Sequence, residues 1–151
     1  MKKKFNFRLK SVLKLREFEE EKAKLALGVI VAKKQNLINQ IEDCKQNINS
    51  SYVSYEKAQE TSTTIQILSF FPNYIQSIKN KRDYLNEQLK QVENDYQESL
   101  KALSVAMGDK KVVEKLKDKK KKEHKKQSDK QDENDRQEIF SIRKMLAEDQ
   151  L

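Results

Sequence analysis

Apolar residues recur along the chain at alternating steps of four and three. From Leu9 the series runs Leu13, Arg16, Glu20, Ala23, Leu27, Ile30, Lys34, Leu37, Ile41, Cys44, Ile48, Ser51, Tyr55 and Ala58, and eleven of these fifteen positions are apolar. A mean spacing of 3.5 residues keeps one seam of a helix turned toward a partner helix, which is the coiled-coil condition. Arg16, Glu20, Lys34 and Ser51 interrupt the seam without shifting its register. Arg16 and Glu20 mark the stretch where the seam is expected to be loosest.

The pattern stops at "ETSTT", Glu60 to Thr64, where hydroxyl and β-branched residues favour caps and turns. Pro72 follows in "IQILSFFPN"; it disfavours helical geometry at Phe71 and suits the first turn of a new helix. A second series then runs Ile75, Ile78, Arg82, Leu85, Leu89, Val92, Tyr96, Ser99, Leu103, Ala106, Lys110 and Val113, nine of twelve apolar. Continued, it meets only polar residues from Lys117 to Glu138, so the seam fades after about Leu116. Apolar residues return in "IFSIRKML", Ile139 to Leu146.

The fold class expected is all-α: two long helices forming an antiparallel coiled-coil hairpin. The boundaries read from the pattern are helix 1 at about 5–59, a connection at about 60–72 and helix 2 at about 73–147, as one elongated domain over 1–151. Zipping both seams from the turn exhausts helix 1 near the start of the polar stretch. Leu9 is then expected near Lys122 rather than near Met145, with the end of helix 2 overhanging.

Composition supports an extended helical chain. Charged residues make up 37% of the chain, and 2 Gly and 1 Pro leave few ways to turn tightly. A seam one side chain deep encloses no pocket, and the acids and bases of such a chain face water, where no acid–base pair is desolvated. The one cysteine, Cys44, lies on the seam and reads as a small core residue. The one histidine, His124, sits among lysines. No metal-ligand spacing and no glycine-rich phosphate loop is present. Catalytic residues, metals and cofactors are therefore not expected, and neither is enzyme activity.

The net charge of +8 favours an acidic partner. The run Lys110 to Lys126 holds ten Lys against Glu114, Asp118 and Glu123. It reads either as a solvated helical arm or as an electrostatic docking stripe. Nucleic acid is not the expected partner, because no aromatic or Arg interleaves to stack bases. The start "MKKKFNFRLKSVLK" suggests a signal peptide, but Arg8, Lys10 and Lys14 interrupt any apolar core. An amphipathic basic start at Lys2 to Leu15 also fits a membrane surface, although Leu9 and Leu13 already belong to the seam. Around the turn, Ile65, Ile67, Leu68, Phe70 and Phe71 are flanked by Tyr52, Tyr55 and Tyr74. This group reads either as a self-packed cap or as a binding surface.

Three stretches resemble the FliJ proteins of the bacterial flagellar type III export apparatus. They are the opening "FNFRLKSVLKLREFEEEKAKLAL", the post-turn "NYIQSIKNKRDYLNEQLKQVE" and the tail "KKQSDKQDENDRQEIFSIRKM". The resemblance implies a two-helix coiled coil akin to the central stalk of rotary ATPases, working in flagellum biogenesis and motility. Paired termini would insert into a hexameric export ATPase and promote its assembly and activity; here the contacts implied are Phe7, Arg8, Leu9, Leu13, Arg16, Phe140 and Arg143. The turn end would meet the cytoplasmic domain of the export-gate membrane protein through Ile48, Tyr52, Tyr55, Tyr74 and Ile78. Ser51 departs from the family's pattern, with Tyr52 beside it, and Lys81 and Leu85 match it poorly. Export chaperones are further implied partners. The implied place is the cytoplasm, peripheral at the inner face of the cytoplasmic membrane. A nucleic-acid-binding arm and a generic self-associating coiled coil are the competing readings.

Overall fold

A computed structural model describes residues 3–61 and 64–150. It contains two α-helices, α1 at Lys10–Glu60 and α2 at Ile65–Glu148, and no strand among the described residues. The two make extensive contacts with each other, as expected for an all-α helical hairpin. By contacts the chain divides into two compact units, Glu21–Ser104 and Met1–Glu20 with Val105–Leu151.

In the unit Glu21–Ser104, α1 and α2 run antiparallel. Leu37, Ile41, Cys44 and Ile48 of α1 pack against Ile75, Ile78, Leu85 and Val92 of α2, with Ile30 and Leu89 beside them. Every one of these residues stands on the 3-4 series, so the register read from the pattern is the one that is buried. Burying each aliphatic side chain contributes about 1.5–3 kcal/mol. Among the described residues no side chain falls below 2% exposure, consistent with a seam between only two helices. Lys34, an interruption of the seam, sends its Nζ to Glu93 at 2.6 Å and lies 4.8 Å from the centre of the Tyr96 ring.

The connection is shorter than the 60–72 expected. Helix α2 begins at Ile65, where Thr64 starts it: the amides of Ile67 and Leu68 donate to the Thr64 carbonyl, and the Thr64 hydroxyl accepts from Ile67. Thr61 ends α1 by donating its hydroxyl to the carbonyls of Lys57 and Ala58. Ser62 and Thr63 lie outside the described residues. Pro72 sits inside α2 rather than in its first turn. The aromatic contacts of Phe70 and Phe71 hold the preceding turns in place: Tyr55 to Phe71 at 5.7 Å and Phe70 to Tyr74 at 5.4 Å.

In the other unit, α1 begins at Lys10 rather than at about residue 5. Phe5 and Phe7 both face α2, in a cluster with Val12, Leu13, Val113 and Leu116. Side chains two apart share a side in an extended chain but diverge by about 200° on a helix, so burying both phenylalanines requires the segment to leave the helix. The Phe5 ring lies 5.5 Å from the His124 ring, and Leu9 lines a groove with Leu116 and Lys120. This is the register expected for Leu9. Helix α2 continues well beyond these contacts to Glu148.

Candidate interaction surfaces

No group of His, Cys, Asp and Glu that could hold a metal is found among the described residues, and Cys44 is a buried free thiol. What the chain offers is surface, and the candidate residues divide sharply by exposure.

Of the five positions that the family resemblance assigns to a gate contact, Ile48 and Ile78 are core residues of the unit Glu21–Ser104, at 6% and 8% exposure. They hold the helices together and present little to a partner. The three tyrosines are different. Tyr52 and Tyr74 are exposed, and Tyr55 is half-buried. Lys79 donates from Nζ to the Tyr52 hydroxyl at 2.8 Å and sits 5.4 Å from that ring. Tyr74 stacks on Phe70 with 14° between the rings, and Phe70 meets Phe71 edge-on. Tyr52, Tyr55, Pro72, Ile75, Gln76 and Lys79 line a groove there of about 220 Å³. The aromatic group is thus partly self-packed, yet Ile65, Ile67 and Phe70 remain open to water. Sequence reasoning missed Lys79. Its neighbour Ile78 was placed by the seam, but a cross-helix partner for Tyr52 becomes visible only once both helices are in register.

The positions that the resemblance assigns to an ATPase contact divide in the same way, all within the unit Met1–Glu20 with Val105–Leu151. Phe7 and Leu13 are buried at 8%. Arg16 is half-buried; its Nη1 meets Glu19 at 3.0 Å and Asp109 at 3.9 Å, while its buried Nε has no acceptor. Arg8, Leu9, Phe140 and Arg143 are exposed. The end of α2 carries five apolar side chains open to solvent by half or more: Ile139, Phe140, Ile142, Met145 and Leu146. Four of them, Ile139, Ile142, Met145 and Leu146, fall on one face at helical spacing, and nothing among the described residues covers that face. An unpartnered apolar stripe of this kind marks a contact site.

Next to Glu20, which is 6% exposed, Lys110 places Nζ at 3.0 Å. That hydrogen bond holds the Lys110 ammonium above its usual 10.5. Glu93 is held below its usual 4.5, chiefly by the hydrogen bond from Lys34. No helix is long and apolar enough to cross a membrane, among the described residues.

A family model described as the flagellar FliJ protein matches residues 5–147. No curated protein and no solved structure matches the chain.

Proposed function

The chain belongs to the FliJ family of flagellar export-apparatus components, and from that premise we propose that it is the non-enzymatic coiled-coil subunit inserted into the hexameric export ATPase. In this role it promotes ring assembly and hydrolysis and links the ring to the export gate. The observation that carries the reading is the end of α2, where the apolar face of Ile139, Ile142, Met145 and Leu146, and Phe140 on another side of the helix, are exposed with no partner among the described residues. A subunit that works alone has no use for such a face, and a ring pore would cover it. Arg8, Leu9 and Arg143, exposed in the same unit, are the polar and apolar contacts assigned to the ring.

The exposed tyrosines Tyr52 and Tyr74, with Tyr55, are assigned to the cytoplasmic domain of the export-gate protein. Ile48 and Ile78 support them from the core. Tyrosine suits such a contact because it offers a large apolar face and a polar tip at low entropic cost. On this reading the protein works at the cytoplasmic face of the membrane, held there by its partners. Export chaperones belong to the same proposal, without residues assigned to them.

The test is to mix the protein with its purified export ATPase and to follow hydrolysis and ring assembly. The intact chain should stimulate both. Phe140→Ala with Arg143→Ala, and separately deletion of residues 139–151, should remove most of the stimulation while leaving helix content in place. An intact chain without effect, or a deletion without loss, overturns the reading.

A further inference from the structure

Lys111, Lys115, Lys119, Lys122, Lys126 and Lys130 of α2 are all exposed. At 100° per residue they fall within an arc of about 100° and run for roughly 28 Å along the helix. The arc lies on the opposite side of α2 from Ala106 and Val113, which are buried. It is therefore the outer face of the helix, with no role in pairing to α1.

Stability alone does not account for this stripe. Neighbouring members stand three or four residues apart, where like charges on a helix repel. Elsewhere on the same helix acids are interleaved and engaged: Glu114 with Lys110 at 3.7 Å, Glu123 with Lys120 at 3.6 Å, Glu133 with Arg136 at 3.9 Å. Those bases all lie outside the stripe. Among the described residues none of the six lysines has an ion-pair partner. Asp118 and Asp129 border one edge and leave the centre of the arc clear.

The composition of the stripe selects its occupant. Cores of protein interfaces are depleted in Lys and built on aromatic residues, Met and Arg, and the centre of this arc holds none of those. Single-stranded nucleic acid is held by aromatic stacking and Arg, which are missing as well. A sheet of lipid phosphates asks for neither. It takes ammonium groups as point charges, and straight helical faces with four to eight basic residues suit it. We infer that this stripe docks α2 on an anionic lipid surface. The stripe lies in the same unit as the residues assigned to the ring, so lipid docking and ring insertion exclude one another, and the bilayer holds the chain while it is outside the ring.

Co-sedimentation of the full chain with vesicles tests it. The probes are phosphatidylcholine alone and phosphatidylcholine with about 30% phosphatidylglycerol, near physiological salt and near 1 M, where the screening length falls to about 3 Å. Binding is expected only to the anionic vesicles and only at the lower salt. Lys115→Gln, Lys119→Gln and Lys122→Gln together should weaken it about 100-fold, at roughly fivefold per lysine. A control triple at Lys45, Lys57 and Lys101, exposed lysines of the other unit, should cost far less. Circular dichroism checks that both triples stay helical. The inference fails if anionic vesicles are not bound, if both triples lose equally, or if the stripe captures single-stranded RNA more tightly than the vesicles.

Discussion

Glu20 and Lys110 meet at 3.0 Å, each standing on the apolar seam of its own helix. Taken one helix at a time they are two defects, and together they are one ion pair, with the carboxylate buried and the ammonium partly open to water. Glu20 is as covered as the aliphatic residues around it, so the stretch expected to be loose is tied across the seam. Such a pair adds little net stability but disfavours every register in which the two do not meet. Lys110→Met removes the ammonium that meets the covered Glu20 carboxylate. The melting temperature, followed by circular dichroism, should fall by at least about 3 °C. Adding Glu20→Leu to Lys110→Met should recover more than half of that loss. Single and double variants that melt alike would show that the pair is not coupled.

The acid limb of stability should carry the signature of Lys34 and Glu93. The Glu93 carboxyl is held below its usual 4.5 by the Lys34 hydrogen bond. In the folded state it therefore stays ionised where the unfolded chain already takes up a proton. Its stabilising contribution is complete above pH 4.5 and is lost as pH falls through the depressed value. Melting temperatures between pH 7 and pH 3 should show a drop in that window, and Lys34→Gln should flatten it. Lys110 acts at the opposite end: its contribution is present below pH 10.5 and disappears as pH rises through the elevated value.

Gly28 in α1 and Gly108 in α2 stand in open space, with no atom within 4 Å of an added Cβ. Neither backbone has a positive φ. Each glycine costs a helix interior about 1 kcal/mol relative to alanine. Gly28→Ala and Gly108→Ala should each raise the stability measured by urea titration by about that amount, and additively, because the sites lie in different units. A loss at either site would mean that the helix there needs the glycine.

Much of the fold was legible because a 3-4 pattern states its own register. Leu37, Ile41, Cys44, Ile48, Ile75, Ile78, Leu85 and Val92 are core where the pattern put them. The boundaries were harder to read. The ring of Pro72 suits the first turn of a helix, yet α2 begins at Ile65 and the Tyr55–Phe71 contact packs the turn before Pro72 against α1. The pattern starts helix 1 at about residue 5, whereas the shared target on α2 draws Phe5 and Phe7 out of the helix. The candidate surfaces were legible as residues but not as roles, because on a seam the same spacing serves burial and contact. Only the paired structure separates Ile48 from Tyr52.

That separation can be tested directly. Ile48→Ala removes a core side chain and should cost about 2–5 kcal/mol of stability. Its effect on affinity for the cytoplasmic domain of the export-gate protein should be slight once the chain is folded. Tyr74→Ala removes an exposed ring stacked on Phe70 and should change stability by less than about 1 kcal/mol. Under the proposed function it should weaken gate binding by about 30-fold, the scale of an aromatic hot spot. Calorimetric titration of both folded variants with the gate domain distinguishes the two roles. If Tyr74→Ala binds like the parent and folded Ile48→Ala does not, the assignment of the tyrosines to the gate is wrong.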